Sequence, residues 1–339
     1  MHPKMRAKCW LRWRKENLRA ELRPLIFGTA CSLPLLLSVA CATATTSGSS
    51  DDRCQMIKDS VSNSGFAADV TVTCDGTYAY LTSDTFPDHD LMNGILVTNE
   101  QIPVPALDYA APIRLSPSGT SGTATIDAAL GVAVNGVPIY DYSSQGDLDV
   151  NSYDAASDTV ALGQLDNCGG HAGRGDDYHY HARPSCMVDD MDNKADSAII
   201  GWAYDGYPLY DLKNPDGTTI AEGELDVCNG QVDDTFGYRY HTSNAHPYIM
   251  QCLRGDYVAE DLPRVSPMKD REIGTPPVGG VQNLVFTDTN GTRRLQYQYS
   301  GTTYYLEYTA SATQANCYDF ETKTVTSAGA VKTGTFCRE

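Results

Sequence analysis

Residues 165–186 read LDNCGGHAGRGDDYHYHARPSC, and residues 225–252 read LDVCNGQVDDTFGYRYHTSNAHPYIMQC. Both run Leu-Asp-x-Cys-x-Gly, then a short acidic loop containing glycine, then Tyr-x-Tyr-His, then a closing Cys. Upstream of each lies a second matched pair, GVAVNGVPIYDY at 131–142 and GWAYDGYPLYDL at 201–212. The chain therefore carries a tandem duplication of one unit, each copy with its own cysteine pair. The copies differ where chemistry would sit. The first has His171, His179 and His181; the second has Gln231, Arg239 and His241 at the matching places.

Read as a strand, Tyr178-His179-Tyr180-His181 sends both histidines to one face and both tyrosines to the other. Two imidazoles spaced by roughly twice the 3.3 Å strand rise, about 7 Å, can share a metal ion. His171 lies eight residues upstream, across a loop rich in glycine (Gly169, Gly170, Gly173, Gly175) that can fold back. Three neutral imidazoles suit zinc or copper and leave a coordination position open to water or substrate. Asp176 and Asp177 are candidate acceptors for the imidazole N–H groups. An ion at such a site makes a Lewis-acid hydrolase or a copper redox enzyme physically feasible, without singling out a substrate. In the second copy Arg239 stays protonated and is no ligand, and Gln231 is a poor one. The expectation is one site in the first copy, with His241 donated across the interface between the repeats. His89, in Phe86-Pro87-Asp88-His89, is a weaker addition, read by default as a surface residue.

Eight cysteines outside the leader fall into neighbouring pairs. Eight cysteines allow 105 connectivities. Because 168/186 and 228/252 hold equivalent places in two copies, the reading is four local disulfides: Cys54–Cys74, Cys168–Cys186, Cys228–Cys252 and Cys317–Cys337. Loops of this size are each worth roughly 3 kcal/mol in a chain-entropy treatment.

Residues 1–41 are basic at first and then apolar around Leu33-Pro34-Leu35-Leu36-Leu37, the pattern of a secretory signal peptide. Ser38-Val39-Ala40-Cys41 also fits a lipoprotein signal with Cys41 as the lipidated residue, which would attach the protein to a membrane. Residues 42–50 read as a polar tether. Export would place the protein in the periplasm, on the outer membrane or outside the cell. Of 25 basic and 43 acidic residues, eight and two lie in 1–23; the rest of the chain has 17 against 41, a net of −24. Such a surface repels phosphate backbones, so no nucleic-acid partner is expected.

The chain beyond residue 50 reads as mainly β, with no long amphipathic helix. The organisation is an N-terminal β segment at 51–110, the duplicated unit at 111–262, a linker rich in proline at 263–280 and a C-terminal β-meander at 281–339. In the meander, Asn290-Gly291 and Ser300-Gly301 are hairpin turns between alternating strands. A rival to the metal reading is an envelope module whose Tyr-rich β surfaces contact a glycan or another protein.

The run Tyr178–His181, the preceding Cys168-Gly169-Gly170-His171, and GWAYDGYPLY at 201–210 resemble the YHYH-domain family, over roughly residues 86–255. The resemblance implies an exported bacterial protein and says little about activity. The second copy departs from the family pattern in having Gln231 and Arg239 where histidines would repeat.

Overall fold

The structure is a computed structural model that describes residues 49–144, 146, 148–173, 177–264, 266–268 and 270–338. The expected signal peptide, Cys41, most of the expected tether, and Asp176 lie outside the described residues. Residues 47–339 form one compact unit. Among the described residues no helix is long and apolar enough to cross a membrane.

The expected β segment at 51–110 opens instead on a helix, α1 (Ser50–Asn63). Its start is fixed by a capping box, in which Ser49 and Asp52 each accept from the other's backbone N–H. Only Cys54, Ile57, Ser60 and Val61 are buried on it, which is why the apolar stripe is faint in the sequence. Ser60 is buried because its hydroxyl accepts from the Trp202 indole N–H at 2.9 Å. Strands β1 (Thr71–Cys74), β2 (Tyr78–Thr82) and β3 (Ala110–Arg114) then form an antiparallel sheet, and Cys74 is bridged to Cys54 of α1.

The duplicated unit builds one eight-stranded sheet. Its first copy supplies β4 (Gly131–Ala133), β5 (Pro138–Ile139), β6 (Gly170–Ala172) and β7 (Tyr178–Tyr180), followed by the short helix α2 (Ser185–Asp190). Its second copy supplies β8 (Gly201–Ala203), β9 (Pro208–Tyr210), β10 (Gly230–Asp233) and β11 (Gly237–His241). The spatial order is β10-β11-β9-β8-β4-β5-β7-β6, a palindrome of equivalent strands. A pseudo-dyad passes through the central antiparallel pair, where Val132 faces Trp202 and Gly131 and Ala133 face Ala203 and Gly201. Glycine is required at 131 because a Cβ there would strike the Trp202 carbonyl across the axis. Both faces of these central strands are buried.

Each half repeats the same polar ties. The Tyr178 hydroxyl donates to Asp166 at 2.9 Å and the Tyr238 hydroxyl to Asp226 at 3.0 Å. Asp166 Oδ1 also accepts from the backbone N–H groups of Cys168 and Gly170, as Asp226 does from Cys228 and Gly230. Tyr180 meets Asn135 at 3.0 Å, and Tyr240 meets Asp205 at 2.5 Å. The tyrosines of both repeat motifs (178, 180, 238 and 240) are therefore buried packing groups and offer no surface for a glycan.

The C-terminal meander is a five-stranded antiparallel sheet: β12 (Gln282–Thr289), β13 (Thr292–Tyr299), β14 (Thr302–Ala310), β15 (Cys317–Lys323) and β16 (Val331–Cys337). Asn290-Gly291 and Ser300-Gly301 all adopt positive φ, as such hairpins demand. The segment Leu91-Met92-Asn93-Gly94 joins this meander to the first repeat. Met92 N–H donates to Asp166 at 2.7 Å, Asn93 accepts from Asn167 N–H through its carbonyl and from Phe286 N–H through its side chain, and Gly94 N–H donates to Leu284 O. Disulfides join Cys168 to Cys186, Cys228 to Cys252 and Cys317 to Cys337.

Asp166 thus accepts four hydrogen bonds while almost wholly buried. Removing the carboxylate leaves buried donors without partners. We expect Asp166→Ala to lose roughly 3 kcal/mol or more of stability, and Asp196→Ala, which breaks an exposed pair with Lys213, to lose at most about 1 kcal/mol. Urea unfolding of the two variants checks this; equal losses would contradict it.

Candidate metal centre

Strands β6 and β7 pair antiparallel, and their register sets His171 directly opposite His179. His181 follows one residue past the end of β7, where its backbone N–H donates to Gly169 O at 3.0 Å. The three rings form a near-equilateral triangle, with centroids 5.0 Å (171–179), 4.8 Å (171–181) and 4.8 Å (179–181) apart. One ligand atom from each residue lies within 4.8 Å of the others. This is closer than the spacing along an extended strand, because the rings lean together and His171 comes from the neighbouring strand.

The second nitrogens decide what the triangle can do. His171 Nδ1 lies 3.1 Å from the Gln164 carbonyl, and His181 Nδ1 is hydrogen-bonded to the Asp141 carbonyl. His179 Nδ1 faces Asp177 Oδ2 at 3.4 Å, an ion-pair distance rather than a formed hydrogen bond. With an oxygen acceptor against each Nδ1, Nε2 is the free nitrogen on every ring, and oxygen-buttressed imidazoles are the usual form of metal-ligating histidine. A tetrahedral ion with bonds of about 2.0–2.1 Å needs nitrogens roughly 3.3 Å apart, so side-chain torsions would draw the triangle in.

Tyr140 stacks on His179 with centroids 4.3 Å apart and closes one side. Gly173 closes another, since a Cβ there would overlap the His179 imidazole. The remaining side opens on a cleft of about 600 Å³ whose lining includes Asp127, Tyr140, Asp141, Gln164 and Asp177. Burial pushes the Asp141 carboxyl up to about 6, despite hydrogen bonds from Ser143. Burial also acts to raise Asp177, but the neighbouring His179 imidazole outweighs it and holds that carboxyl below its ordinary value.

Two residues do not join the cluster. His241 sits on β11, which four intervening strands separate from β7. At about 4.8 Å per strand the separation is roughly 24 Å, so the expected donation across the repeat interface is geometrically closed. His89 is buried rather than exposed, and it lies behind β7. Its Nε2 meets the Tyr180 hydroxyl at 2.7 Å and its Nδ1 the Asp90 carbonyl at 2.8 Å. It also neighbours Cys168 and Cys186, but their sulfurs are joined to one another and offer no thiolate. Sequence reasoning attached no site role to the Gln164 and Asp141 carbonyls, because a backbone acceptor has no side-chain signature. Tyr140 recurs as Tyr210 in the second copy, and a residue common to both copies does not mark the histidine site in the sequence.

Burial, then the charge of His179, pushes His171 down to about 3; burial with both neighbouring imidazoles pushes His181 well below its ordinary value. In the unfolded chain an imidazole takes up its proton near pH 6.5. Below that pH the unfolded state binds protons that the folded state refuses, so the contribution of these two histidines to the stability of the metal-free protein is fully present above about 6.5 and is lost as pH falls toward 3. We expect the slope of stability against pH to be shallower in His171→Leu than in the parent, read by urea unfolding of chelator-treated protein at pH 7, 6 and 5. An unchanged slope would contradict the assignment.

Residues 110–221 match the family model described as YHYH protein, a span that holds the three histidines and ends before the cysteine pair of the second copy. No curated protein and no solved structure gives a match.

Proposed function

We propose, from the match of residues 110–221 to the YHYH family model, that the chain is an exported protein whose first repeat binds one transition-metal ion through His171, His179 and His181. The observation that carries this reading is the convergence of the rings: each Nδ1 faces an oxygen, and one ligand nitrogen from each ring lies within 4.8 Å of the others. An all-imidazole donor set favours zinc or copper over the oxygen-seeking magnesium and calcium. Three protein ligands beside an open cleft leave a coordination position facing solvent, where the bound ion would supply Lewis-acid polarisation. Tyr140 and Gly173 hold the His179 ring, and Asp177 faces its Nδ1 at 3.4 Å.

Metal analysis of the purified protein tests this. We expect about one zinc or copper per chain, lost in His171→Ala, His179→Ala and His181→Ala, and lost or weakened at least tenfold in Gly173→Ala. His241→Ala and His89→Ala should keep the ion. A ligand bound only to the native state adds about 2.7 kcal/mol at a hundredfold excess over Kd, so a chelator should lower the thermal midpoint. A parent protein without metal, indifferent to chelator, would overturn the reading.

Export is supported by the leader at 1–41 and by four disulfides, which persist in oxidising compartments. Mass spectrometry of the protein from its native envelope should find the leader removed, with or without a lipid on Cys41. Cytoplasmic protein retaining residues 1–41 would contradict export.

A further inference from the structure

The second repeat rebuilds the scaffold of the histidine site with other side chains on it. From Leu165 to His181 and Leu225 to His241 the two copies align without a gap at an offset of 60. His241 matches His181, and its Nδ1 faces the Asp211 carbonyl at 3.0 Å, as His181 faces that of Asp141. Its Nε2 meets the Gln231 amide at 3.1 Å, and Gln231 stands in the place of His171. Arg239 stands in the place of His179. It is 1 % exposed and lines a second cleft of about 580 Å³.

The acid of the hairpin has changed strands between copies. The first copy has Gly173 and Asp177, with Asp177 beside His179 at 3.4 Å. The second has Asp233 and Gly237, with Asp233 2.7 Å from the Arg239 guanidinium. Asn214 accepts from both Arg239 and Gln231 and completes the set. Among the described residues no Lys or Arg lines the first cleft, where both oxygens of the buried Asp177 lack a hydrogen-bond partner. A buried carboxylate needs a compensating positive charge. In the second copy the buried charge is the Arg239 guanidinium itself, with the 40 % exposed Asp233 as its counter-ion; in the first it is the Asp177 carboxylate, beside which the positive charge comes from His179 and, from outside the repeat, Arg338.

We propose that the second repeat is a cation site with its cation built in: the Arg239 guanidinium supplies the positive charge that a divalent transition-metal ion supplies among His171, His179 and His181. The inference rests on the metal reading of the first repeat. It assigns the second cleft a latent zinc or copper site, closed by Arg239 and opened by three substitutions, Gln231→His, Asp233→Gly and Arg239→His. The reciprocal set, His171→Gln, Gly173→Asp, Asp177→Gly and His179→Arg, closes the first cleft with a guanidinium.

The test counts zinc and copper per full chain, with all four disulfides formed, in the parent, the triple variant and the quadruple variant. The expected counts are one, two and none, and the thermal midpoint of the quadruple variant no longer responds to chelator. A parent with no ion defeats the metal reading itself. A parent with one ion and a folded triple variant with only one overturns the proposal made here. If the triple variant does not fold, the quadruple variant decides: folded, metal-free and indifferent to chelator, it supports the built-in cation; unfolded or still dependent on metal, it overturns it.

Discussion

The antiparallel register of β6 on β7 is the constraint from which the rest follows. It sets His171 across from His179 and leaves His181 at the strand end, so three imidazoles from an eleven-residue stretch share one side of a hairpin. A slip of one residue would exchange the histidines for the tyrosines on that side. Several ties prevent the slip. Asp166 gathers the Cys168 and Gly170 N–H groups and the Tyr178 hydroxyl, the Cys168–Cys186 bridge closes the segment, and Tyr178 and Tyr180 are buried behind the strand. The chemistry on one face is held in place by packing on the other.

The duplication explains how so short a hairpin can be rigid. Each copy contributes four strands. Joined through Val132 and Trp202, they form one continuous sheet of eight. Helix α1 covers the centre through Ser60 and Trp202, and the segment around Met92 ties the first hairpin to the meander. The palindromic order puts the two former equivalents at opposite ends of the sheet, which lets them diverge independently. One end keeps imidazoles and an open cleft; the other substitutes a guanidinium, an amide and a relocated aspartate.

Much of this was legible in the sequence because it was written twice. The mainly β character, the repeat and the turns of the meander all follow from spacing and turn residues. The grouping of His171, His179 and His181 follows from strand alternation together with the loop rich in glycine. Helix α1 escaped because its apolar stripe is short and interrupted by Ser60, whose burial makes sense only beside Trp202, 142 positions away. His89 and His241 were misjudged for a related reason. Whether a histidine lies in front of a strand, behind it or at the far end of the sheet depends on strand order, and strand order is not a local property of the chain.

The central claim is that three Nε2 atoms converge on one point. X-ray absorption spectroscopy on the metal-loaded protein reads this most directly. The account requires three imidazole nitrogens at about 2.0–2.1 Å from the ion, with any further ligand a light donor from solvent. A first shell with one imidazole or none, or one built from sulfur, would contradict it.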